Sequence, residues 1–229
     1  MQDVAAAISR RVDALAVDQL LGPFGRRALR DFYNRSMEPI TDVQPKRFTA
    51  HPGADASTVP ASAHPRPSVR FLLQHPAHLI ALGFGSGLGR IAPGTVGTLW
   101  AWLAFLVLQL WLTPAQIGWL IAVSLPVGWW ACTVTARHLR VADPGHIVWD
   151  EVVAFWIVLW LAMPMGFWGQ LSAFALFRFF DAAKPGPVRW ADRLCKGFGP
   201  RGGWGILLDD LVAAFCTLLV LAVWRHLFG

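Results

Sequence analysis

No charged side chain occurs between Ile91 and Ala136, and none between Val152 and Phe177. A helix needs ~20 consecutive apolar residues to cross the hydrocarbon of a bilayer, so these stretches predict membrane-embedded helices. Composition agrees: 55% of residues are apolar and 15% charged, with a mean hydropathy of +0.45, where a soluble domain carries nearer ~25% charged residues. A segment in lipid must satisfy its backbone internally, and no strand-like alternation of useful length competes. The predicted fold is therefore all-α, a polytopic membrane domain of about five apolar helices. The net charge of +6 reports loop placement rather than nucleic-acid binding.

Breaks in the pattern set the elements. Phe71–Leu82 is a short apolar lead-in. Spans follow at Thr95–Leu112, at Gln116–Arg137 with a kink expected at Pro126, at Ile147–Met163, at Phe167–Asp181 and at Ile206–Trp224; the fourth is short for a full crossing. Residues 1–50 have a different character: Val4, Ile8, Val12 and Leu15 recur at helical spacing among Arg10, Arg11, Asp13 and Asp18, which predicts an amphipathic extension. Residues 51–68 hold Pro52, Pro60, Pro65 and Pro67 and read as a linker, so the membrane domain is expected over 69–229. No secretory signal is read at the N-terminus. Cys132, Cys195 and Cys216 are too scattered for a disulfide framework or a structural zinc site.

The connections at 113–115 and 164–170 carry no charge, whereas those at 137–151 and 178–205 carry Arg137, Arg140, Arg178, Lys184, Arg189, Arg193, Lys196 and Arg201. Basic connections stay on the cytoplasmic side, so two hairpins dip away and return and a last helix leaves. Arg225, on the far side, runs against the rule. This topology brings four polar motifs to one cytoplasm-facing set of loops: Gly83–Arg90 with Pro93–Thr98, Asp143–Glu151, Arg178–Pro187, and Gly202–Asp210.

Asp150 with Glu151, and Asp209 with Asp210, are expected just inside the starts of two helices. Capping would use one acid per helix, and a carboxylate in the bilayer is costly. Two adjacent acids on each of two helices suit Mg²⁺, a hard ion held by carboxylates, water and phosphate oxygens. In the glycine motif, Gly85 and Ser86 lie in a turn and Thr95 opens a helix whose free N–H groups favour an anion; the alternative is a turn that lets helices pack closely. Arg178, Asp181 and Lys184 recur every three residues on one helix face, and Pro185 ends the helix near Lys184. They suit phosphate and metal together, or serve as an interfacial basic cluster. Cys195–Arg201 matches a Cys-x₅-Arg phosphatase loop, but no His precedes the Cys. His138 and His146 sit in a polar connection, where solvated histidines are common.

Together the motifs resemble those of the phosphatidylglycerophosphatase A family of bacterial membranes. The resemblance covers about residues 70–225 and rests on Gly83-Phe-Gly-Ser-Gly87, Pro93-Gly-Thr-Val-Gly-Thr98, Ile147-Val-Trp-Asp-Glu151, Arg178-Phe-Phe-Asp-Ala-Ala-Lys-Pro-Gly-Pro187 and Gly205-Ile-Leu-Leu-Asp-Asp210, in that order. Departures are Arg201, Pro144 and Ala214, where the family commonly has His, His and Gly. The resemblance implies Mg²⁺-dependent hydrolysis of phosphatidylglycerophosphate in the bacterial inner membrane. Asp150, Glu151, Asp181, Asp209 and Asp210 would be catalytic, all but Asp181 as metal ligands. Gly85, Ser86, Thr95, Arg178 and Lys184 would bind the phospholipid substrate. A channel or carrier lined by these acids, and a phosphatase for a different lipid phosphate, are the alternatives. A CDP-alcohol phosphotransferase would need an Asp-Gly-x-x-Ala-Arg core that is absent.

Overall fold

The computed structural model describes residues 66–228 except Ala142 and 195–199, with side chains described outside 191–201. The amphipathic extension and most of the expected linker lie outside the described residues. Eight α-helices follow: α1 (Val69–Gln74), α2 (Pro76–Ala81), α3 (Pro93–Trp111), α4 (Pro114–Leu139), α5 (Trp149–Leu161), α6 (Phe167–Ala183), α7 (Gly186–Leu194) and α8 (Pro200–Phe228), with a 3₁₀ segment at Gly83–Leu88. No strand occurs among the described residues.

Helices occupy all five apolar stretches. Three of them, Pro93–Trp111, Pro114–Leu139 and Gly202–Phe228, are long and apolar enough to cross a membrane. At 13 residues, α5 is only ~20 Å long. Beyond Asp150 and Glu151 in its first turn it is apolar all round, and Val152, Val153, Ala154, Phe155, Val158 and Leu159 are all buried, as expected of a helix enclosed by others. It is the hub: α3, α4, α6 and α8 all pack on it. The outer helices turn Leu99, Leu103, Leu110, Phe215, Val223 and Trp224 outward, an apolar exposure that suits lipid.

Local chemistry sets the ends. Thr113 and Gln116 form a reciprocal capping box before Pro114, so the α3–α4 tip is tight. Pro126 lies inside α4, which continues to Leu139. The last helix starts earlier than its hydropathy predicts, at Pro200 rather than Ile206. A side chain at Gly203 would strike Thr133 and come within 3.1 Å of the Trp129 carbonyl, so glycine lets α8 close on α4. Asp209 and Asp210 consequently lie about two and a half turns inside α8, not at its mouth, which corrects the sequence expectation.

The lead-in is two short helices, broken where Pro76 forces His75 into extended backbone (φ −151°, ψ 138°). It is held to the end of α4 by imidazoles. His78 is fully buried; its Nδ1 lies 2.8 Å from the Phe71 carbonyl and its Nε2 2.7 Å from His138 Nδ1. A carbonyl can only accept, so His78 donates from Nδ1 and its Nε2 accepts from His138. Burial lowers the His78 pKa to about 4 and also lowers that of His75. The unfolded chain, with His near ~6.5, then binds the proton first. The His78 contribution is intact above pH ~6.5 and is lost as pH falls toward 4. Detergent-solubilised protein should therefore lose thermal stability across that interval, and His78→Asn, which keeps a donor but cannot be protonated, should show a shallower slope. Equal slopes would refute this account.

Candidate active site

The acids converge at one end of the bundle. Asp150 and Glu151 occupy the first turn of α5, and Asp210 reaches them from α8; one carboxylate oxygen from each of the three lies within 4.8 Å of the others. Asp209 and Asp210 are buried. Asp209 Oδ2 is held by Lys184 Nζ at 2.5 Å. Lys184 reaches it because α6 ends at Ala183, with Lys184 in the left-handed region (φ 43°) before Pro185.

Arg178 ties the other elements together. Its Nη1 lies 2.6 Å from Asp181 Oδ2, 3.5 Å from Glu151 Oε1 and 3.3 Å from Thr98 Oγ. Thr98 is itself buried and donates to the Gly94 carbonyl at 2.9 Å. At Gly94, a Cβ would collide with Glu151 Oε1 and lie 3.3 Å from Arg178 Nη1. Glycine lets the start of α3 touch both charges without displacing the Glu151 carboxylate.

The electrostatics are unbalanced. Five carboxylates (Asp150, Glu151, Asp181, Asp209, Asp210) face two cations, Arg178 and Lys184, within the described site. Asp150 Oδ1, Glu151 Oε2 and Asp209 Oδ1 are buried without a hydrogen-bond partner. Buried polar atoms are nearly always satisfied, and uncompensated buried charge is strongly unfavourable. A divalent cation would answer both faults, and an all-oxygen donor set fits a hard ion.

A sequence model of phosphatidylglycerophosphatase A matches residues 79–225. The chain belongs to the phosphatidylglycerophosphatase A family. It is 40% identical over 163 residues to phosphatidylglycerophosphatase A of Escherichia coli K12, covering 69% of this chain and 88% of that one. It is likewise 40% identical over 155 residues to the Haemophilus influenzae protein of that name, covering 67% and 91%. A Bacteroides thetaiotaomicron protein provisionally named a phosphatidylinositol-3-phosphatase is 36% identical over 157 residues, 66% of this chain and 94% of that one. No solved structure matches the chain.

Within this phosphatidylglycerophosphatase A fold, the residues expected from sequence divide in two. Asp150, Glu151, Asp181, Asp209, Asp210, Arg178 and Lys184 come together. Gly85 and Ser86 make local contacts: a Cβ on Gly85 would meet Leu72, and Ser86 Oγ donates to the Gly83 carbonyl at 2.8 Å. A side chain at Gly87 would collide with the His146 carbonyl, and His146 Nδ1 pairs with the Gly87 carbonyl at 2.9 Å. That glycine segment serves close packing of the loop ahead of α5. Thr95 is half-buried in the first turn of α3, but Thr98, one turn on, makes the contact to Arg178. Thr98 lies four residues from Gly94, so the two share a face of α3; the sequence motif contains it without marking it. The Cys195 loop lies outside the described residues.

Proposed function

We propose that this chain hydrolyses the phosphomonoester of phosphatidylglycerophosphate, giving phosphatidylglycerol and phosphate. The observation that carries the reading is the convergence of Asp150, Glu151 and Asp210, with unpartnered oxygens, beside Arg178. Asp150, Glu151 and Asp210 would hold Mg²⁺, with Asp209 beside them. When bound, the ion supplies an acidified water and offsets charge on the phosphate oxygens.

The chain's own groups do the rest. Arg178, fixed by Thr98 and Asp181, binds phosphate oxygens through the N–H groups it has left. The free N–H groups of Gly94 and Thr95 at the start of α3 add an anion-suited face. Lys184 holds Asp209 by one oxygen, which leaves Oδ1 to accept the proton of the attacking water. The bundle buries this constellation against bulk solvent, where each charge interaction is stronger. The charged connections lie at the acid end and the uncharged tips at the other. That supports a bacterial inner-membrane protein whose site faces the cytoplasm. Family membership argues against the channel or carrier reading.

The test is phosphate release by purified protein from phosphatidylglycerophosphate and from phosphatidylinositol-3-phosphate, with and without Mg²⁺. Mg²⁺-dependent release from the first, well above the second, is expected. Preference for the inositol lipid would transfer the chemistry to the relative's named substrate, and release from neither would end the proposal.

A further inference from the structure

At the end of the bundle away from the acids, a cavity of about 520 Å³ opens between the two hairpin tips. Phe105 and Gln109 of α3, Leu159 and Trp160 of α5, and Met163 and Met165 beyond it form its walls. The polar atoms around it are engaged with one another. Gln109 Nε2 donates to the Met163 sulfur at 2.8 Å, Gln170 Nε2 to the Met165 carbonyl at 3.0 Å, and Trp160 Nε1 to the Pro114 carbonyl at 2.8 Å. Gln170 Oε1 accepts from Trp102 Nε1 at 2.6 Å. A ligand here would meet mainly carbon and sulfur, and methionine walls adapt to a flexible apolar guest. The volume lies within the ~300–1,000 Å³ of ordinary ligand sites.

A seam of side chains between α3 and α6 runs from the acid site to the cavity. On α3, Thr98, Trp102, Phe105 and Gln109 share a face at helical spacing. Opposite them on α6 stand Arg178, Phe174, Gln170 and Phe167. Arg178 meets Thr98 at 3.3 Å, and Trp102 stacks on Phe174 and Phe167 with centroids 5.7 and 5.9 Å apart. From Glu151 to Leu159 the rise along α5 is ~12 Å, and from Thr98 to Gln109 along α3 it is ~16 Å. A lipid tail spans about half of the ~30 Å hydrocarbon core, ~15 Å, so a tail whose headgroup is drawn in to the acids reaches the cavity with its distal part.

We propose that this cavity receives the distal part of an acyl chain of the phospholipid whose phosphate binds at Arg178. The proposal rests on the phosphatase reading for the headgroup, and it makes the α3–α6 seam a determinant of chain length. Short-chain lipids would reach the acids but leave the cavity unfilled. A tail that already lies in apolar surroundings gains packing contacts rather than transfer from water, and that gain is made in binding, so the selectivity would appear in KM more than in kcat.

Two measurements decide it. In mixed micelles at fixed surface concentration, kcat/KM is compared for dipalmitoyl and dihexanoyl forms of the lipid phosphate. The long-to-short ratio should fall at least about ten-fold in Met165→Trp, which fills the cavity; Met163→Phe serves if that variant does not fold. An unchanged ratio in a folded variant would overturn the proposal. Independently of turnover, a long-chain phosphatidic acid with a diazirine at the chain terminus is photolysed with the full chain. Cross-links should concentrate on residues 105–114 and 159–170. Cross-links spread along the outer faces of α3 and α8 would overturn it. Failure to hydrolyse any lipid phosphate would strike the headgroup reading alone, because cross-linking still reads the cavity.

Discussion

Asp150→Asn and Asp210→Asn are each expected to lower phosphate release by at least about 10²-fold, with EDTA abolishing wild-type activity and Mg²⁺ restoring it. The size follows from geometry. Each residue contributes one of three oxygens gathered within 4.8 Å, and an ion that loses one ligand shifts together with the phosphate it orients; a displacement of ~1 Å costs about 10²-fold. The loss should not come from unfolding. Removing one of five crowded carboxylates relieves repulsion in the metal-free protein, so its melting temperature in EDTA should hold or rise while activity falls. Cys195→Ser should change turnover little. Activity that resists EDTA and disappears in Cys195→Ser would replace the metal mechanism with thiolate chemistry.

How far the sequence could be read depended on what each residue's role required. The acids were legible because their cost in a membrane is paid at no ordinary surface position, and because charge-free tips fixed which loops share an end. Lys184 was legible as a helix terminus because Pro185 dictates it. The start of α8 was not, since two glycines that weaken an isolated helix are favoured by contact with Thr133 and Trp129, which no local pattern reports. Thr98 was missed for a similar reason. Thr95 sits where a helix N-terminus would bind an anion, and only the packing of α3 against α6 shows that the threonine one turn later touches Arg178. The segment at Gly83–Leu88 looked suited to phosphate because glycine signals close approach without saying what approaches; here it is the His146 carbonyl.

Arg178→Ala is expected to cost more than 10²-fold in kcat/KM, and Arg178→Lys nearly as much. The guanidinium is shared by three neighbours through Nη1, at 2.6 Å to Asp181, 3.3 Å to Thr98 and 3.5 Å to Glu151, while its buried Nε has no protein partner. A planar fork can keep those neighbours and still present N–H groups to phosphate oxygens. A lysine ammonium has three donors around one point and cannot span both sets. Ala also strips Glu151 and Asp181 of their counter-charge, so its damage should extend to metal affinity, read as a higher Mg²⁺ concentration for half-activation. Thr98→Val removes two hydrogen bonds, the one donated to the Gly94 carbonyl and the one accepted from Arg178; the second, worth about 1 kcal/mol, holds the guanidinium, so its loss should cost roughly five-fold, with Thr98→Ser restoring most of it. A fully active Arg178→Lys would show that only the positive charge matters, and that the phosphate is held elsewhere, at the start of α3.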